Sequence, residues 1–202
     1  MRRTIIILAS ISFLLTLAGT AQERRSEISM QGTGFFTKSS SGNSTAYSTT
    51  ETGGFLGTYR YHLNRWISAE GAYGYDTNTQ KYLFSSSEFR IQSGIHQMTA
   101  SLVVNLPSRA SSRFNPYTLA GGGALVFDPT SNQLNSLSGA QSQAKSVFVY
   151  GVGFNYAIRK PISLRAEYRG LVYSAPDFGF GALGTNSITH TAQPSVGLTF
   201  RF

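Results

Sequence analysis

Five charged residues in this chain are spaced so that they could act together. Arg165, Glu167 and Arg169 occupy alternate positions, and Arg60 and Glu70 sit in two other stretches of similar pattern. Residues two apart in a β-strand point to the same face, so the first three charges share one surface. Charges taken out of water need partners, and stranding one member of a buried pair costs about 3–5 kcal/mol. The spacing therefore points to a buried ion-pair network, whose chemical counterpart would be a relay for protons or ions. The histidines His62, His96 and His190 are candidates for general acid–base work. His62 falls at a short turn where no nucleophile is expected nearby. Thiol chemistry and disulfides are excluded, because there is no cysteine. Gly121-Gly122-Gly123 is not a phosphate loop, since no Lys-Ser/Thr and no helix follow it. No Asp/Glu/His group has metal-ligand spacing, so neither a cofactor nor a metal is expected. Asn43-Ser44-Thr45 fits a glycosylation sequon and is read as chance.

The elements that would position these charges are strands. Only 13% of residues are charged, about half the usual share, while glycine (21), phenylalanine (14) and tyrosine (11) are abundant. That mixture suits half-buried sheets with close backbone approaches. Of the formal charge of +8, two units are Arg2 and Arg3, and the rest is scattered. A scattered excess does not make a nucleic-acid surface; lipid phosphates suit it as well.

Residues 1–21 read as an export signal: a basic Arg2-Arg3, an apolar stretch from Ile5 to Leu17, then Gly19-Thr20-Ala21. The apolar stretch is short for a membrane helix, which needs about twenty residues. Residues 22–202 form the second unit, and here apolar residues alternate with polar or small ones. From Ile188 to Phe202 no odd position holds a large apolar residue. Phe148, Tyr150, Val152, Phe154, Tyr156 and Ile158 lie opposite Gly151, Gly153 and Asn155. Similar runs begin near Glu27, Gly53, Ile67, Arg90, Asn115 and Ile162, giving eight strands. Short connections (62–66, 107–113, 158–161) alternate with long polar ones (38–51, 76–88, 128–146, 174–187). Short periplasmic turns and long extracellular loops are the pattern of outer-membrane barrels. A soluble sandwich or lipocalin-type barrel would turn its charges outward. Here the aromatic faces lie opposite the charged ones, so the expected fold is all-β, an eight-stranded antiparallel up-and-down transmembrane β-barrel.

The ending Pro-Ser-Val-Gly-Leu-Thr-Phe-Arg-Phe, with Val196, Leu198 and Phe200 alternating up to a terminal Phe202, resembles the C-terminal strand signal of such barrels. Together with the Gly-rich Pro116–Ala124 strand and Leu164-Arg-Ala-Glu-Tyr-Arg169, it makes the chain similar to the OmpA/OmpX-type barrels. It is more similar still to the outer membrane protein β-barrel domain family. The resemblance implies an integral protein of the outer membrane with both termini periplasmic, surrounded by lipid and lipopolysaccharide. It also implies recognition of Val196, Leu198, Phe200 and Phe202 by the barrel assembly machinery. The chain stops at Phe202, without the peptidoglycan-binding domain of OmpA.

An eight-stranded barrel is only wide enough inside for side chains to fill. Pairing Leu63 with Ile67 across the Asn64-Arg65-Trp66 turn puts Arg60 opposite Glu70, Tyr59 opposite Gly71 and Gly57 opposite Tyr73. The analogous register around Lys160 sets Arg165 across from Asn155, Glu167 from Gly153 and Arg169 from Gly151, with long charged side chains over glycines. The five charges would then plug the lumen. A non-enzymatic role in membrane integrity, adhesion or partner binding through the long loops follows, with Phe84, Phe178 and Phe180 as loop anchors and the extracellular ligand unspecified. The alternatives are a lipid A-modifying barrel enzyme and a narrow pore for small solutes or ions. A deacylase barrel uses a His-x-Ser pattern, and this chain reads His190-Thr191-Ala192.

Overall fold

Alternation of face closes this sheet on itself. The computed structural model describes residues 25–42, 45–84, 87–107, 113–130, 141–179 and 187–202. The signal segment expected over 1–21, sequon residues Asn43 and Ser44, and Phe180 lie outside the described residues, as does the side chain of Phe84. The strands are β1 (Ser26–Thr37), β2 (Ser40–Gly42), β3 (Thr45–Thr49), β4 (Thr52–His62), β5 (Ile67–Phe84), β6 (Ser87–Asn105), β7 (Phe114–Pro129), β8 (Gln143–Arg159), β9 (Ile162–Ser174) and β10 (Ile188–Arg201). Eight of them, β1 and β4 to β10, pair antiparallel in up-and-down order, and β1 meets β10 to close the barrel. Ser26 and Phe202 exchange backbone hydrogen bonds of 3.1 and 2.8 Å at that junction. Closure leaves no open edge within the eight-stranded cycle, which is the condition for crossing a bilayer with strands.

β2 and β3 form a hairpin outside this cycle, in which β3 pairs with the upper part of β5 from Thr45↔Phe84 to Thr49↔Gln80. The long polar connections expected over 38–51 and 76–88 are therefore largely strand: β5 and β6 stay paired as far as Phe84↔Ser87. The sequence concealed this because both faces are polar there. Thr77, Thr79 and Lys81 alternate with Asp76, Asn78 and Gln80, all three of which are buried. Inside, Gln80 donates to Asn78 (2.6 Å) and Ser93 donates to Gln80 (2.8 Å), so amides replace the hydrophobic contrast that alternation depends on.

The turn joining β4 to β5 is set by one side chain. Asn64 Oδ1 accepts from the N–H groups of Trp66 and Ile67, both at 2.8 Å, an Asx-type turn. It produces the Arg60↔Glu70, Tyr59↔Gly71 and Gly57↔Tyr73 register that the spacing requires. Outward positions carry a nearly continuous apolar band: Met30, Phe55, Leu102, Phe148, Val152, Val196, Leu198 and Phe200 are all exposed. Water would strongly disfavour so large a patch; hydrocarbon suits it.

Candidate functional site

The lumen has two storeys. The half nearer the short turns is ionic. Arg60 on β4 reaches Glu70 on β5 through Nε at 2.8 Å and Nη2 at 2.8 Å. Arg169 on β9 bonds Glu70 Oε1 at 2.7 Å and Glu167 Oε1 at 2.5 Å. Arg165 is the hub: it donates to Glu27 (2.9 Å), Glu70 (3.2 Å), Asn155 (2.9 Å), Thr58 (3.0 Å) and Ser29 (3.3 Å). The three guanidiniums are wholly buried, and Glu27, Glu70 and Glu167 are at most 5% exposed. Three buried cations thus face three buried anions, and each carboxylate bridges at least two positive groups or donors.

The five charges picked out from spacing come together, and two members of the cluster were missed. Glu27 binds Arg165, Arg201 and His62 Nε2 (2.9 Å). A strand-first glutamate gives no sign of which way it faces until β1 meets β10. Tyr117 donates to Glu167 Oε2 at 2.5 Å, while the Arg60 guanidinium lies 4.1 Å over its ring centroid. Tyr117 crosses β8 at Gly153, where an added Cβ would come within 2.7 Å of the ring and hydroxyl. The expectation that Glu167 lies over Gly153 is corrected: the phenol takes that space. At Gly151 a notional Cβ would meet the Tyr168 carbonyl oxygen first, with Leu119 the nearest side chain at 3.4 Å.

His62 also differs from the expectation, since it does have a nucleophile beside it. Its Nδ1 is 2.8 Å from Ser68 Oγ and its Nε2 is 2.9 Å from Glu27, which are the members of a hydrolase triad. The geometry does not present it as one. Ser68 is fully buried, takes a second bond from Asn105 Nδ2 (3.3 Å), and does not line the mouth cavity formed by Arg25, His62, Asn64, Arg65, Trp66 and Arg201. The chain Glu27–His62–Ser68 ties the first short turn to the ionic storey. His96 Nδ1 and His190 Nε2 each sit 2.8 Å from a tyrosine hydroxyl, Tyr73 and Tyr150, on the outer face. These amphipathic pairs suit a membrane interface.

The other storey sets an apolar cluster beside the buried amides of β5 and β6, which the alternation did not reveal. Phe35, Ile91, Ile95, Leu125, Phe127, Val149, Leu171, Tyr173 and Phe178 cluster inside it, buried to at most 3% exposure. Phe178, expected as an exposed loop anchor, is instead fully buried edge-on to Phe127, with centroids 6.3 Å apart. Its φ of 52° is left-handed, a conformation that costs a non-glycine residue about 1–2 kcal/mol. Gln143 holds it there: Oε1 accepts from the Asp177 and Phe178 N–H groups (2.9 and 3.3 Å), and Nε2 donates to Asp177 Oδ1 (2.6 Å). Partial burial opposes the charge on Asp177, yet hydrogen bonds from Gln143 and Gly179 and the nearby Lys145 keep its carboxyl below the usual range.

Among solved structures, the chain is similar to the outer membrane protein OprG of Pseudomonas aeruginosa, at 17% identity and a TM-score of 0.60, covering 88% of this chain and 96% of that one. It is also similar to the outer membrane protein AlkL, at 15% identity and a TM-score of 0.59, covering 88% and 90%. At these identities the likeness concerns the fold. No curated protein sequence matches significantly. The model of the outer membrane protein beta-barrel domain matches residues 6–202. A closed eight-stranded barrel with an apolar outer band, matched over nearly its whole length, belongs to the outer membrane protein beta-barrel domain family and is an integral protein of the outer membrane.

Proposed function

We propose that this chain is a non-enzymatic barrel with a closed lumen, which reinforces the outer membrane and offers its loop end to partners outside the cell. The observation that carries this reading is the balanced ionic storey. Arg60, Arg165 and Arg169 against Glu27, Glu70 and Glu167 fill a bore that is side-chain-sized to begin with. The paired extension of β5 and β6, with β3 along one side, supports the display role, because it makes a hydrogen-bonded polar platform where long polar loops were expected. The burial of Ser68 and the tyrosine partners of His96 and His190 speak against acyl transfer. Purified protein in planar bilayers is expected to give no resolved current steps in concentrated KCl. Steady steps, altered in Arg60→Ala or Arg169→Ala, would favour the narrow-pore alternative and remove the plug.

In this reading residues 1–21 are the export signal, the short turns and both termini face the periplasm, and the outer band meets lipid and lipopolysaccharide. Val196, Leu198, Phe200 and Phe202 act as the assembly signal. All four are exposed on the outer side, and the rings of Phe200 and Phe202 stack with centroids 6.2 Å apart. Phe202→Ala should reduce the folded, heat-modifiable fraction in cells several-fold, while barrel refolded in detergent keeps its melting temperature. Unchanged assembly in cells would show that the terminal ring is not read.

A further inference from the structure

The seam where the barrel closes carries a defect with matching features on both faces. The β1–β10 ladder runs without interruption from Glu27↔Arg201 to Thr33↔Ser195 and resumes at Phe36↔Ala192 and Thr37↔Thr191. Between them, Gly34 and Phe35 are not paired with Pro194 and Gln193. Pro194 has no N–H to give to the ladder, and proline inside a sheet is otherwise confined to edges and bulges. On the lipid face at the same level lies a groove of about 560 Å³ lined by Gly32, Gly34, Gly53, Gly54, Pro194 and Val196. Its floor also includes Thr33 and Ser195, whose side chains belong to the lumen.

The luminal side of the same stretch holds the one buried carboxylate, among the described residues, left out of the ionic storey. Asp76 is 1% exposed and leans across Gly54, where any Cβ would overlap its carboxylate. Its Oδ1 accepts a hydrogen bond from Thr33 Oγ1 at 3.2 Å, and its Oδ2 has no partner among the described residues. Gln193, on the other side of the seam, donates to Gln97 Oε1 (2.9 Å) and leaves its own Oε1 without a partner among those residues. A buried charge with no cation and a buried amide oxygen with no donor are both costly. Here both are acceptors, and both lie beside the unpaired stretch of the seam.

We propose that this seam binds a single-chain amphiphile with a cationic, hydrogen-bond-donating head, an alkylammonium in the simplest case. The alkyl chain lies in the glycine groove among the lipid tails, and the head passes the Gly34/Pro194 gap to Asp76 Oδ2 and Gln193 Oε1. Charge selects the occupant: an ammonium neutralises Asp76, whereas an anionic or purely apolar molecule leaves it stranded. The site shares no residue with the ionic plug, although Asp76 lies at the base of the β5 extension.

The test is native mass spectrometry of the purified full chain in a non-ionic detergent, titrated with dodecylammonium. Dodecyl sulfate serves as the head-group control and propylammonium as the chain control. One dodecylammonium should be retained per barrel, with neither control retained. Asp76→Asn and Gly32→Leu should each weaken retention by at least about tenfold, the loss expected for a charged hydrogen bond or a blocked groove. Position 32 has nothing within 4 Å of an added Cβ, so the leucine fills the groove without straining the strand. Val152→Leu, elsewhere on the lipid face, should change nothing. Equal retention of dodecyl sulfate, or retention that survives Asp76→Asn, would overturn the proposal even if Gly32→Leu abolished binding. Should the leucine variant fail to fold, backbone amide shifts at Gly32 and Thr33 on adding dodecylammonium decide the matter, and their absence counts against it.

Discussion

Glu70→Ala is expected to lower the temperature at which the folded barrel loses its heat-modifiable gel mobility by on the order of 10 °C. Among the described residues Glu70 is the only carboxylate that touches all three buried arginines, at 2.8, 3.2 and 2.7 Å for Arg60, Arg165 and Arg169. Without it, three guanidiniums share Glu27 and Glu167. Removing one partner of a buried pair costs roughly 3–5 kcal/mol, and for a chain of this size each kcal/mol moves the midpoint by about 2–4 °C. The double variant Arg60→Met/Glu70→Leu should recover part of the loss, because it removes a cation with the anion and leaves Arg165 and Arg169 facing Glu27 and Glu167. A single variant that melts with the wild type would mean that water or lipid phosphate reaches the arginines and the storey is not sealed. A double variant no better than Glu70→Ala would mean that side-chain volume, and not charge balance, holds the section together.

The second large effect belongs to Tyr117, and a pair of substitutions separates its two contributions. Tyr117→Phe removes only the 2.5 Å hydrogen bond to Glu167 and should cost about 1.5–3 kcal/mol, the range for bonds to charged groups. Tyr117→Ala also removes the ring under Arg60, 4.1 Å from its guanidinium carbon, and within 5.7 Å of Arg165. It leaves a cavity in the lumen as well, so the loss should rise to about 3–5 kcal/mol. Urea unfolding in lipid vesicles would measure both. If the alanine variant were no worse than the phenylalanine one, the ring would be filling space that water fills equally well, and the phenol's role would reduce to its hydroxyl.

The distinction between these two residues marks what the sequence could decide. Strand alternation has a period of two, so knowing that Tyr59 and Tyr61 face outward is enough to turn Arg60 inward; the Asn64 turn then sets Glu70 opposite it. The same reasoning places Arg165, Glu167 and Arg169 on one face of β9 and sets their partners on β8, even past the bulge between Ala157 and Arg159. The barrel, its strand number and the facing of its charges are local properties, repeated strand by strand.

What alternation cannot supply is contact across the bore or around the cycle. Glu27 meets Arg165 over 138 positions and Arg201 over 174, contacts that exist only because β1 closes onto β10. Tyr117 reaches Glu167 across an intervening strand, which Gly153 alone permits. The upper part of β5, with Asn78 and Gln80 turned inward among other amides, carried no hydrophobic contrast to read. Phe178 does lie in the connection after β9, but its burial could not be read because its partners Phe127 and Gln143 lie on two distant strands. The sequence by itself determined which way each strand faces, because that depends on nearest neighbours in the chain. Only the closed tertiary structure decided how the lumen divides into an ionic storey and one of apolar residues and amides, and where the closing seam goes unpaired, because those features depend on which strands the cylinder brings face to face.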